Sequence, residues 1–130
     1  MIKGVRRMEK ITRSYLIVDR EDFSQKIISR ITAGKEMLSR KVMAQEALET
    51  LKNDISKWSD YNTELLKQSF NNPDNEYLIQ YKHSYRPFNF FGSHSLQIDA
   101  DEQKKKISKY ILYLEKIINK ADLIPTKGTA

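Results

Sequence analysis

Between residues 42 and 70 no glycine or proline interrupts the chain, and Leu48, Leu51, Ile55, Trp58, Asn62, Leu65 and Ser69 recur at alternating spacings of three and four. That period is one face of an α-helix. Tyr61, Leu66 and Phe70 widen the seam, and Asn71-Asn72-Pro73 stops it, because proline has no N–H to donate and restricts the residue before it. A helix over about 43–71 is roughly 40 Å long. One that long cannot bury its apolar face alone and needs partners of similar length, which predicts a helical bundle.

The partners are legible on both sides. Phe23, Ile27, Ile31 and Leu38, with Ile28 beside them, predict a helix over 22–38, with Asp19, Glu21 and Asp22 at its positive end. Gly34 inside it costs about 1 kcal/mol relative to alanine and would permit the close approach of another backbone. Ile107, Ile111, Leu114, Ile118 and Ala121 form a second seam, opened by Asp99, Asp101 and Glu102 and closed before Pro125, which predicts a helix over 99–122. Tyr77, Leu78 and Tyr81 suggest a short helix over 74–81, and Pro87 and Gly92 punctuate an aromatic loop at 82–97. The expectation is an all-α antiparallel bundle in which the two long helices pack against each other. Residues 21–125 form its single domain, after a basic arm over 1–20 and before a frayed tail at 126–130. Within the arm, Ile11 to Val18 has strand-like composition but no evident partner, so an extended segment and a first helical turn both stand. Met8 is an alternative start.

Composition narrows the classes. The chain has 130 residues and no cysteine, which excludes disulfide scaffolds, thiolate-ligated zinc and thiol catalysis. No apolar run approaches the roughly 18 residues of a membrane span. A soluble, cytoplasmic protein without a membrane partner is expected. The formal charge is +6, but residues 14–98 are balanced, with eleven basic and eleven acidic groups. The excess lies at the ends: Lys3, Arg6, Arg7, Lys10 and Arg13 in the arm, and Lys104, Lys105, Lys106 and Lys109 early in the last helix. If the arm folds back, these could join into a phosphate-binding patch; otherwise they are a solvated face and a basic start.

Other candidates for chemistry are sparse. Tyr85, Phe88, Phe90 and Phe91 could anchor a partner or stack bases, or could tuck under the loop and plug the bundle. His83 and His94 have no metal-ligand spacing, and Ser93-His94-Ser95 is too compact to pair a nucleophile with its own base. Glu46, Glu49, Asp54, Asp60 and Glu64 alternate with lysines on the long helix and read as a solvated face. On the seam, Trp58 reads as a core anchor and Asn62 as a polar group that either sets register or caps a neighbouring element. Ile31, Leu51, Ile55, Trp58, Leu65, Phe70, Ile111, Leu114 and Ile118 are the expected core. No catalytic residue, cofactor site or metal site is expected.

Three stretches together resemble a known arrangement. They are Ile31 to Leu38; Lys57 to Leu66 with Phe70, containing Trp58-Ser59-Asp60-Tyr61-Asn62-Thr63-Glu64-Leu65-Leu66; and Tyr113 to Ile118 followed by Leu123-Ile124-Pro125. Their order and spacing resemble the helical region that precedes the TIR-like nucleotide-binding domain of some bacterial anti-phage defence proteins. The resemblance spans about 27–125 and falls mostly on core positions. It implies that any enzymatic chemistry belongs to the downstream domain and that the helical region serves assembly or scaffolding. It implies in turn either an excised domain or a free-standing relative carried by a mobile element. The expected function is therefore a non-enzymatic protein-interaction or assembly module, with a protein partner or a second copy. The alternatives are a nucleic-acid-binding protein using its basic ends and a phage-encoded inhibitor of a host defence or nuclease protein.

Overall fold

A computed structural model describes residues 13–87 and 95–126. Among them are four helices: α1 (Arg20–Leu38), α2 (Gln45–Ser69), α3 (Glu76–Lys82) and α4 (Leu96–Asn119), followed by a 3-10 turn at Ala121–Leu123. No β-strand is present among the described residues, and no helix is long and apolar enough to cross a membrane.

Local chemistry sets the boundaries. The Asp19 carboxylate accepts from the Asp22 amide at 3.1 Å, Asn75 Oδ1 from the Leu78 amide at 2.9 Å, and Ser95 Oγ from the Ile98 amide at 3.1 Å. These caps start α1 and α4 two or three residues before the expected 22 and 99. Glu21 and Asp22 of α1 and Asp99 of α4 occupy the first turn, where they face the positive end of the dipole, while Asp101 and Glu102 fall in the second turn. Toward its C-terminus α4 leaves the α-helical conformation at Lys120 and tightens into the 3-10 turn ahead of Pro125.

The bundle runs up-down-up-down. Arg40 pairs with Asp54 at one end of α1 and α2 while Phe23 meets Phe70 at the other, so α1 and α2 are antiparallel. Lys104 Nζ donates to the Arg40 carbonyl and the Arg20 guanidinium donates to the Ala121 carbonyl, so α1 and α4 are antiparallel too. The most extensive helix pair is α1 with α4. The antiparallel bundle is thus observed, but its antiparallel pairs run through the shorter helices. The two long helices run in the same direction, contrary to the expected pairing. The reason is parity: α3 lies between them in sequence and turns the chain once more. Its antiparallel course against α4 is marked by Tyr77 beside Lys120, Gln80 bonded to Tyr113, and Tyr85 bonded to Glu102.

The core follows the two seams with one drift each. Leu48, Leu51, Ile55, Trp58, Asn62, Leu66 and Ser69 of α2 are buried, as are Ile107, Ile111, Leu114 and Ile117 of α4. Leu65 and Ile118, expected in the core, are half-buried at its margin. In α2 the shift follows from geometry: a straight helix has 3.6 residues per turn, so a strict 3-4 repeat lags behind the core and Leu66, one residue later, takes the place of Leu65. Ile31, Leu51, Ile55, Trp58, Phe70, Ile111 and Leu114 lie in the main buried cluster. A Cβ built on Gly34 would come within 2.7 Å of Trp58 Cζ2 and 2.9 Å of Ile111 Cδ1, so the missing side chain is what lets α1 sit against both.

A polar network crosses this core. Asn62, fully buried, accepts from Arg30 Nε at 2.9 Å and donates to the Tyr81 hydroxyl at 3.0 Å. Ser59 meets the same hydroxyl at 3.0 Å, and the Trp58 indole donates to the Arg30 carbonyl at 2.8 Å. Three helices are tied by groups that each find a partner, and among the described residues no buried side-chain nitrogen or oxygen lacks one. Burial pushes the Tyr81 hydroxyl up to about 12, although Ser59 and Asn62 oppose it.

The segment from Arg13 to Val18 is extended, and the partner that the sequence did not reveal comes from two helix ends. Leu16 bridges to Phe70 on one side and Thr126 on the other. Its amide donates to the Pro125 carbonyl at 2.9 Å, and the Ile17 amide donates to the Ser69 carbonyl at 2.9 Å. Leu16 is buried beneath this join.

Candidate functional site

Two surfaces stand out, one apolar and one basic. The apolar one is the connection between α1 and α2, residues 39–44. Its position is held from both sides. The Arg40 guanidinium grips Glu36 through two bonds of 2.9 and 3.1 Å and Asp54 through one of 2.6 Å. These carboxylates hold Arg40 even further above its usual range, and the bond to Arg40 lowers Glu36. The Arg40 carbonyl accepts from Lys104 of α4. Between these anchors Met43 stands 83% exposed. Val42 beside it lines two shallow hollows. The larger, about 390 Å3, runs along Ala44, Ala47 and Leu51 of α2, and the smaller opens toward Gln97 and Ala100 of α4. The α2 N-terminus opens into this region without a side-chain cap, since Ala44 occupies the capping position.

The basic surface is the outer side of α4. The structure divides the lysine cluster that the sequence singled out. Lys104 is committed to the Arg40 carbonyl, and Lys106 lies 5.9 Å over the Tyr85 ring. Lys105 and Lys109 are exposed. Arg13 lies at the opposite end of the bundle, where it acts on Glu76 and the Tyr77 hydroxyl. Arg13 and Lys104 to Lys109 therefore do not form one compact patch. Arg6, Arg7 and Lys10 lie outside the described residues.

Tyr85 does not project as a free anchor. Its hydroxyl donates to Glu102, its ring meets Tyr110 at 6.3 Å, and it is half-buried. Burial first, and the Glu102 carboxylate second, push its hydroxyl well above the usual tyrosine range. It fastens the end of α3 to α4. Phe88, Phe90, Phe91 and His94 lie outside the described residues, and His83 is exposed. Among the described residues no group of three or more histidine or acidic side chains is arranged to hold a metal.

Sequence reasoning missed Arg30 and Met43. Arg30 sits over the Tyr61 ring at 4.3 Å and bonds Asn62 and the Trp58 carbonyl. Burial lowers its guanidinium, with Tyr61 and Tyr81 opposing. No periodic pattern marks it. Met43 offered a weak signal, as a large apolar residue directly before a helix whose N-cap lacks a polar side chain.

No protein-family model, curated protein or solved structure matches the chain. The reading of function therefore rests on the surfaces themselves.

Proposed function

We propose that this chain is a non-enzymatic helical module that binds another protein through the 39–44 end of the bundle. The observation that carries the reading is Met43, held out to solvent on a connection locked by Arg40 and Lys104. A large apolar side chain kept in water gains when a partner covers it, and the rigid support means that the backbone carrying it has little freedom left to lose. The hollows on either side of Val42 give the partner's side chains somewhere to sit. The resemblance to the helical region of anti-phage defence proteins supports placing the module in such an assembly. The test is sedimentation analysis of the protein alone and with the products of neighbouring genes, with Met43→Asp as the variant. Association that Met43→Asp abolishes, with helicity unchanged, supports the reading. A monomer at every concentration that binds none of those proteins overturns it.

A second reading, contact with nucleic acid, is favoured by the outer face of α4.

A further inference from the structure

The lysines of α4 left over after Lys104 and Lys106 are not scattered. Lys105, Lys109, Lys116 and Lys120 are exposed and fall on one side of the helix at spacings of four, seven and four. At the helical rise this is a straight row roughly 22 Å long. None of the four takes part in an ion pair among the described residues, whereas Lys35, Arg40 and Lys52 do. Three carboxylates of α4 are bonded to other groups: Asp101 to Gln97, Glu102 to Tyr85, and Glu115 to Lys35. The row also contains two lysine pairs one turn apart, an arrangement that works against the helix carrying it. The outer face of α2 is built the other way, with Glu49 facing both Lys52 and Gln45 and Glu64 facing Gln68.

The row does not stop at Lys120. Its ammonium lies 5.9 Å over the Tyr77 ring, and the Arg13 side chain reaches the hydroxyl of that same tyrosine. Arg13 and Lys120 therefore meet at one ring, more than a hundred residues apart along the chain.

We infer that Lys105, Lys109, Lys116 and Lys120 form a rail for the phosphate backbone of a nucleic acid, continued by Arg13. A line of evenly signed, unpaired charges matches a polymer whose own charges are spaced along a line. The rail carries Leu112 but no aromatic side chain, so its contacts are with backbone and the binding is independent of base sequence. An isologous pairing of two copies through this face is disfavoured, because it would set lysine against lysine. The inference goes beyond the protein contact proposed above and uses a different face.

Fluorescence anisotropy of the full chain with short labelled duplex DNA and duplex RNA of arbitrary sequence, over a salt series, tests it. The expected result is binding at low salt that weakens steeply as salt rises. Changing all four lysines to glutamine should flatten the slope of log affinity against log salt by about 3–4. The control changes Lys26, Lys52, Lys57 and Lys67 to glutamine, which removes the same charge from α1 and α2 and should leave most of that slope. Circular dichroism confirms that both variants remain helical. No binding to either nucleic acid at low salt overturns the inference. So does an equal loss in both variants, which means diffuse net charge, and so does binding to anionic lipid vesicles in place of nucleic acid. A preference for DNA or RNA identifies which backbone the rail takes.

Discussion

Gly34 shows how far one residue can decide packing. In an exposed helix its replacement by alanine would add about 1 kcal/mol. Here the new methyl would meet Trp58 at 2.7 Å and Ile111 at 2.9 Å. The Ile111 tip can yield, but the indole cannot, because it is buried and bonded to the Arg30 carbonyl. Overpacking of this kind costs roughly 1–3 kcal/mol, so Gly34→Ala is expected to destabilise the protein by about 1 kcal/mol net in urea denaturation. A stabilised variant would show that α1 can move away from α2 and α4 at no cost. The residue scale is also where legibility was most uneven. Trp58 and Asn62 were identified as seam residues from spacing alone, and their partners, Arg30 and Tyr81, could not be. A polar seam residue announces that it needs a partner without naming one on another helix.

At the scale of elements, the long helices were plain because hydrophobic period and helix length are local properties. Their starts were harder, since an acidic first turn is a stronger pattern than the single capping residue before it. The exception is α2, whose N-cap position holds Ala44 at φ −151° and ψ 158°. This is β-region backbone, as at the capping residues Asp19, Asn75 and Ser95, although their φ of −60° to −75° is less extended, so Ala44→Asp should raise stability by up to about 1 kcal/mol. The thermal midpoint of the variant measures this; an unchanged midpoint would mean the first-turn amides are already satisfied. The Ile11 to Val18 stretch was ambiguous for a different reason. An extended segment is recognised by its neighbours, and the neighbours of Leu16 are Phe70 and Thr126.

At the scale of the whole molecule, the ends of the chain are stitched together by contacts of long sequence separation. One of them is sensitive to pH. Burial alone would raise the Glu76 carboxyl, but the hydroxyl and amide of Ser14, at 2.6 and 3.3 Å, together with its own amide and Arg13 outweigh it and hold the group below its ordinary value. A carboxyl lowered in the folded state contributes stability that is full above its unfolded value of about 4.3 and fades as pH falls through the folded one. The urea midpoint of the native protein should therefore exceed that of Glu76→Gln at neutral pH, and the difference should shrink between about pH 5 and pH 3. A difference independent of pH would rule out the carboxylate as its source. The sequence by itself determined that the chain is all-helical, where its two long helices lie, most of its core and the concentration of positive charge at its ends. These follow from period, length and composition, which any local stretch carries. Only the tertiary structure decided that the long helices run in the same direction, that Lys104 bonds the Arg40 carbonyl while Lys105, Lys109 and Lys116 stand exposed, and that Arg13 and Lys120 both reach Tyr77. Those facts depend on how one short helix turns the chain and on which side chains then come within reach, and no local pattern records either.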